Sequence, residues 1–546
     1  MAKISGYQIL ARALRRQGVD TLFFLMGGPM LEAESACIRE GIRLLDVRHE
    51  QAAAMMALAW GRVSGKVGVC MAASGPGSIN MTTGVAHAWA DAAPLLAIGG
   101  AAPLVMSGRG IFQECDQLSV FRPITKWADR CLDPRQIPEM VAAGLRQART
   151  GRPGPVYLDM PGDVMFREVE EDSVNYREDY LTASNARPAG DAKAVRSAID
   201  LLVAAERPIV VSGSGIVWSD AAAELRQFVE LAGVPFYTTP QGRGVLPDDH
   251  ELSFLAARSG AFRDADCVIV VGTRMNYINS HFLPPRFSPT AKIVQVNVDP
   301  AEIGLTRACD AGIVGDAKAV LEQLIAEGRG RLEPKRYAPW VGMLRESDRA
   351  KSVEQERRMS SDAVPIHPLR LCKEVRDFLG RDAYLVVDGQ EILNYGRQSI
   401  PTFEPGHRLN SGTWGTMGVG LPFGIGVKVA HPDKQVLVLH GDGSFGLNGM
   451  ELDTAVRHGV NVVVVISLNG GWTADPDGTK PGRNLGYTRF ERMAEALGCY
   501  GEYVEDPGKI RPALERAFAA GKPALINVKT DPRARATTGS FAVSST

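Results

Sequence analysis

Two acids in this 546-residue chain stand where a carboxylate could do more than face water. Asp442 sits in "HGDGSFG", directly after the apolar run Val436–Leu439, between Gly441 and Gly443. The glycines permit a tight backbone and close approach of a ligand. Ser444 could cap the turn or contact a phosphate, and the residues beyond read as a helix whose N-terminus favours anions. Twenty-seven residues on, the run Val462–Ser467 leads into "LNGGW" and Asn469. One helix and one strand between them would bring both strand ends to one edge of a parallel sheet. A carboxylate, an amide oxygen and a backbone carbonyl could there take three sites of an octahedral Mg2+, leaving the rest to phosphate oxygens. A bare Gly-Asp-Gly is more often a capping acid and a turn; the paired spacing favours the metal. Glu50, in "LLDVRHEQAAAMMA", ends a strand-like run and begins a helix. By itself it reads as a solvated cap or as a catalytic acid.

The elements that must position these residues fall into three α/β blocks. Continuous apolar runs (Thr21–Met26, Val67–Ala73, Leu95–Gly99; Pro208–Ser212, Cys267–Gly272, Ile293–Val298; Ala383–Val387, Gln435–Leu439, Ala524–Val528) suit parallel strands covered on both faces. Alternation with helical stretches gives an α/β fold of three doubly wound parallel-sheet domains. The expected boundaries are 1–166, 192–327 and 363–530. Polar linkers are expected at 167–191 and 328–362, the latter with a helix around Val341–Arg349, and a tail at 531–546.

Composition excludes several function classes. Lys plus Arg is 61 and Asp plus Glu 62, so nothing favours nucleic acid or an anionic membrane, and any anion site must be local. Eight cysteines without a Cys-x-x-Cys pair argue for free thiols in a reducing compartment. The first residues read as an amphipathic helix, and no uncharged apolar run approaches the roughly 20 residues of a membrane span. A cytoplasmic protein is expected.

Gly-Asp-Gly followed by Asn469 resembles the thiamine diphosphate fingerprint, although Leu468 stands where the family has a first asparagine. The resemblance implies that Asp442, Asn469 and the Gly471 carbonyl hold Mg2+ against the diphosphate. Gly441, Gly443, Ser444, Gln390 and Trp472 would lie around the cofactor. It also implies that Glu50, in the family's Arg-His-Glu-x-x-Ala setting, bonds the aminopyrimidine ring nitrogen and promotes its imino form. Ser74, in "SGPGSIN", matches the family's next turn, and Met417, in "GTMGVG", matches its apolar wedge beneath the cofactor. Domain 1–166 would then bind the pyrimidine and 363–530 the diphosphate, with the two ends joined across chains in a homodimer or homotetramer.

The stretch "RLNSGTWGTMGVGLPFGIG" (408–426) resembles the oxalyl-CoA decarboxylase and 2-hydroxyacyl-CoA lyase branch, as does "DGQEILNYGR" with Arg397. Phe112-Gln113 and Phe490 stand where the decarboxylases carry Tyr-Glu and Tyr, removing hydroxyl donors and favouring an alkyl-bearing substrate. The implied reaction is reversible cleavage of the C1–C2 bond of a 2-hydroxyacyl-CoA to formyl-CoA and an aldehyde or ketone. Gln113 is the candidate for positioning the carbonyl, and Glu491 for taking the hydroxyl proton. The central block, without a Gly-x-Gly-x-x-Gly start, resembles the branch's ADP domain through Arg152, Gly213, Arg274, Asp299 and Asp316. Arg397, Arg408, Arg533, Arg535 and Ser540 are the expected contacts of the acyl-CoA, the tail closing as a lid. Rivals are an acetolactate synthase or benzaldehyde lyase-like carboligase, an oxalyl-CoA decarboxylase, and a cofactor-binding protein without catalysis. Glu50 argues against the last, since binding alone needs only the Mg2+ clamp.

Overall fold

The apolar runs become three all-parallel sheets, and two of them are built alike. The computed structural model describes residues 2–176 and 186–536. In the first sheet the strands lie in the order Arg43–Asp46, Thr21–Leu25, Gly68–Ala72, Leu95–Ala101, Pro155–Pro161, Trp127–Arg130. In the third the order is Arg408–Asn410, Tyr384–Asp388, Val436–Gly441, Val463–Leu468, Ala524–Lys529, Tyr500–Val504. Numbered along the chain within each sheet, both read 2-1-3-4-6-5. Strand order therefore reverses between the first and third strand of each, which is where open α/β sheets leave a crevice at their strand ends. Tyr384–Asp388 and Val436–Gly441 flank that crevice in the third sheet, so Asp442 leaves the sheet at its switch point. The central sheet, Phe236–Thr238, Pro208–Ser212, Cys267–Val271, Lys292–Asn297, Ala311–Val314, reads 2-1-3-4-5.

Two segments expected to be linkers carry structure. Glu168–Glu170 pairs antiparallel with Lys3–Ser5, because Ile4 and Val169 can turn the same way into the first core. Within 328–362 a 22-residue helix spans Ala338–Met359. It extends the helix expected around Val341–Arg349 at both ends, chiefly through a polar stretch that shows no apolar period. Trp340, Val341 and Leu344 anchor one end in the central core and Met359 the other in the third.

The first and third units share one apolar cluster, while the central unit has its own. The shared seam is helix Glu50–Ser64 against helix Gly420–Ala430. Both are rich in Ala and Gly on the facing sides, so the backbones approach closely. A Cβ at Gly426 would stand 2.4 Å from the Met56 carbonyl oxygen. All eight cysteines are free. No helix among the described residues is long and apolar enough to cross a membrane.

Candidate active site

Strand Val436–Gly441 ends beside strand Val463–Leu468, with Gly441 opposite Ser467. Asp442 and Asn469 thus emerge from neighbouring strands at the same level, and helix Asp442–Asn448 starts on the acid itself. One Asp442 oxygen accepts the Gly470 N–H at 2.9 Å and the other the Gly443 N–H at 3.0 Å. The Asn469 oxygen accepts from Gly471 N at 3.2 Å. One cavity is lined by Gln390, Met417, Gly441, Asp442, Gly443 and Ser444, together with Asn469, Gly471 and Trp472.

The wall of this cavity is set by close packing. The Trp472 ring lies flat enough on Gly443 that a Cβ there would meet it at 2.8 Å. Thr473 donates to the Gln390 side-chain oxygen at 2.8 Å, fixing the opposite rim. His440, fully buried in the strand, accepts from Leu421 N through Nε2 at 3.2 Å. Its Nδ1–H therefore donates to Ser444 Oγ at 2.8 Å, and Ser444 donates to the Gly441 carbonyl at 3.1 Å. Burial holds the His440 pKa down to about 3, so the ring stays neutral and this polarity is permanent.

The donor set fits a divalent cation. Asp442 is 4% exposed, and burial pushes its pKa up to about 6 despite four backbone N–H groups acting the other way. A carboxylate so placed is short of positive charge. An amide oxygen and a carbonyl on the neighbouring strand end complete a hard-oxygen set with room for phosphate.

Glu50 is elsewhere in the chain's own architecture. It is the first residue of helix Glu50–Ser64, capped by His49, whose ring accepts from Gln51 N. Asn80 donates to its carboxylate at 2.9 Å. Nearby, Ser74 Oγ donates to Gln113 Oε1 at 2.8 Å. Gln113 is held at φ +59, a strained backbone for a side-chain-bearing residue. Phe112 beside it is 86% exposed. Gln117, which no motif marks, is the buried post of this loop, accepting from Gly75 N at 3.0 Å and donating to Asp159 at 2.6 Å. None of Glu50, Ser74 or Gln113 lines the Asp442 cavity, whose walls come wholly from the third unit and the base of the tail. What does join the two units is Glu451, whose carboxylate accepts from Arg48 N and His49 N at 3.1 Å each, while Gln51 donates to Asn448 at 2.8 Å. Burial raises the Glu451 pKa to about 7.

The remaining candidates divide. Arg152, Arg274 and Asp316 share a cavity of about 300 Å3 where the three units meet. Arg274 is tied to Glu302 at 3.0 Å and Arg152 to the Trp89 carbonyl at 3.0 Å. Asp316 caps helix Ala317–Gly328 and pairs with Arg187 at 3.1 Å. Gly213 packs under Thr273, and Asp299 caps a short turn off the cavity wall. Arg408 is buried, with its guanidinium on the Ile400 carbonyl at 3.3 Å, out of reach of a surface phosphate. Glu491 is likewise buried, held by Arg489 and by Asn527 at 2.9 Å, so it faces a structural partner rather than an open site. Arg533 pairs with Asp477 at 2.8 Å, and Arg535 binds the Ala474 carbonyl, so the first residues of the tail lie over the Trp472 loop. Ser540 falls outside the described residues.

A switch-point carboxylate with an amide partner thus stands on one sheet, and a separate helix-starting acid on its duplicate. The chain belongs to the thiamine pyrophosphate enzymes. Residues 4–120 match the thiamine pyrophosphate enzyme N-terminal TPP binding domain, 195–324 the central domain and 393–528 the C-terminal TPP binding domain. It is 35% identical to a 2-hydroxyacyl-CoA lyase of Arabidopsis thaliana over 98% of this chain and 97% of that one. It is 36% identical to acetolactate synthase large subunit IlvG of Mycobacterium tuberculosis over 96% and 95%. With oxalyl-CoA decarboxylase of Escherichia coli it shares 32% over 98% and 96%. Identity alone barely separates these three activities; the site must.

Proposed function

We propose that this enzyme is a 2-hydroxyacyl-CoA lyase, breaking or in reverse forming the C1–C2 bond between a formyl-CoA unit and an aldehyde or ketone. The observation that carries the CoA part is a cluster of partly buried guanidiniums. Arg258 is held down to about 10 by burial and by Arg286, Arg397 and Arg243 nearby. Asp248 is taken by Arg243, and among the described residues no carboxylate pairs with Arg258, Arg286 or Arg397. Unmatched, converging cations are costly unless an anion arrives. Helix Glu391–Ser399 starts at the Asp442 cavity and carries Arg397 six residues, about 9 Å, further on. A thioester at the cavity with its phosphates reaching this cluster would answer the unmatched charge, and a free 2-oxoacid would leave the cluster empty.

When bound, thiamine diphosphate would supply a nucleophilic carbon, once deprotonated, and an electron sink for C1–C2 cleavage. Asp442, Asn469 and the Gly471 carbonyl hold Mg2+ and through it the diphosphate. Met417 supports the cofactor from below and Glu50 exchanges a proton with its pyrimidine ring. Gln113, clamped by Ser74, presents its amide to the carbonyl, while Phe112 and Phe490 leave the alkyl side apolar. Because the Asp442 cavity and the Glu50 face do not meet in one chain, the working unit is a homodimer or a pair of them. The cavity shared by Arg152, Arg274 and Asp316 is a site for ADP; the lid expected of the tail falls mainly on residues 537–546, outside the described residues. Free thiols throughout suit a cytoplasmic enzyme.

A panel of 2-hydroxyacyl-CoAs, 2-oxoacids and oxalyl-CoA tests the reading. Formyl-CoA with an aldehyde or ketone should appear from the first group. Acetolactate from pyruvate, or CO2 from oxalyl-CoA, without cleavage of any 2-hydroxyacyl-CoA would overturn it.

A further inference from the structure

We propose that Asp91 and His87, both from the first unit, are positioning residues for Met417 in the third. The inference rests on the reading of Met417 as the residue supporting the cofactor. Met417 stands in a turn that cannot hold itself. Gly412, Gly415 and Gly418 all have positive φ, and glycine gives backbone freedom without side-chain packing. The turn is held from outside, by buried side chains.

Asp91 ends helix Thr82–Ala90 and points under the turn. One of its oxygens accepts from Thr413 N at 2.9 Å and Thr413 Oγ1 at 3.0 Å. The other accepts from Gln241 and lies 3.2 Å from His87 Nε2. His87, with no exposed surface, reaches Thr416 Oγ1 through Nδ1 at 2.9 Å. The fit leaves no slack: a Cβ on Gly412 would stand 2.0 Å from an Asp91 oxygen. On the far side of Met417, Asn448 donates to the Gly418 carbonyl at 2.8 Å and Asp388 accepts from Gly420 N at 2.9 Å. Residues 416 and 418 are therefore each pinned, one from the first unit and one from the third, with Met417 between. Nothing in catalysis proper uses His87 or Asp91. A buried acid and imidazole are expensive to keep, and here every side-chain hydrogen bond they make goes to residues 413 and 416 or to Gln241.

Asp91→Asn preserves shape but turns one acceptor into a donor, and Thr416→Val removes only the hydroxyl that meets His87. Both are measured alongside Met417→Ala and the double variant Asp91→Asn/Met417→Ala. In the cofactor-free protein, amide exchange by mass spectrometry should accelerate in the peptide 411–420 and stay at the wild-type rate in strand Val436–Gly441. Thiamine diphosphate affinity, read from tryptophan fluorescence, should fall about tenfold in each single variant. In the double variant it should fall no further than in Met417→Ala alone, because the clamp acts only through that side chain. Additive losses, or wild-type exchange in 411–420 for both Asp91→Asn and Thr416→Val, would overturn the inference while leaving Met417 in its role. A Met417→Ala enzyme with wild-type affinity and turnover would instead sink the reading of Met417, and this inference with it.

Discussion

Gly426→Ala places one methyl group at a close backbone contact between the first and third units. Its Cβ would lie 2.4 Å from the Met56 carbonyl oxygen, where real Cβ contacts are essentially never below 3.0 Å and ordinary contact begins at 3.4 Å. The two helices must therefore part by about 0.6–1 Å, since both colliding groups are backbone or fixed to it. Overpacking of this kind costs about 1–3 kcal/mol. Alanine's better helix propensity returns about 1 kcal/mol, leaving a loss of up to about 2 kcal/mol. The functional effect should be larger in proportion. Helix Glu50–Ser64 begins with the proposed proton-exchanging acid, and helix Gly420–Ala430 begins just past Met417. A misplacement of about 1 Å can cost about a hundredfold in rate. Gly342→Ala is the control: it lies in helix Ala338–Met359 with nothing within 4 Å of the added methyl. It should raise stability by up to about 1 kcal/mol and leave turnover alone. Urea denaturation and kcat for both variants provide the comparison. If Gly426→Ala is as stable and as fast as Gly342→Ala, the seam between these helices is not a rigid joint.

Asp442→Ala should abolish Mg2+-dependent retention of thiamine diphosphate, since it removes the only charged ligand beside a diphosphate; unchanged affinity in the presence and absence of Mg2+, by calorimetry, would contradict the assignment. Glu50→Gln should keep the cofactor bound but slow exchange of the thiazolium C2 proton by about two orders of magnitude or more, because an amide cannot cycle the pyrimidine proton; near-normal exchange by NMR would remove Glu50 from the mechanism. Glu34 is buried and pushed up to about 7, chiefly by burial, so the folded state binds its proton more tightly than the unfolded chain. The sign follows: below the ordinary value near 4.5 both states are protonated and nothing is lost, whereas stability falls as pH rises to about 7 and stays lower above it. Glu34→Gln should therefore stabilise the protein by up to about 3 kcal/mol at pH 8 and have little effect at pH 4.5; equal gains at both pH values would show that the charge is not the cause.

The strands and the Asp442–Asn469 pair were legible from the residues alone, because each depends on local information. An apolar run too continuous for a surface strand marks a buried parallel one, and a fixed count of residues between two strand ends puts them side by side. Helix 338–359 was legible only around Val341–Arg349; its full length was not, because its anchors are four residues at its two ends, with a polar stretch between them. Arg408 looked like a phosphate ligand in a motif, yet its place on an inward-facing edge strand turns it to the Ile400 carbonyl. Likewise, nothing along the chain links His87 to Thr416, Glu451 to the amides before Glu50, or Arg258 to Arg397. Those partners lie on different units, and only the packing of helix Glu50–Ser64 against helix Gly420–Ala430, and of the central unit against both, decides that they meet. Sequence period reports which face of an element is buried; it carries no record of which other element will cover that face.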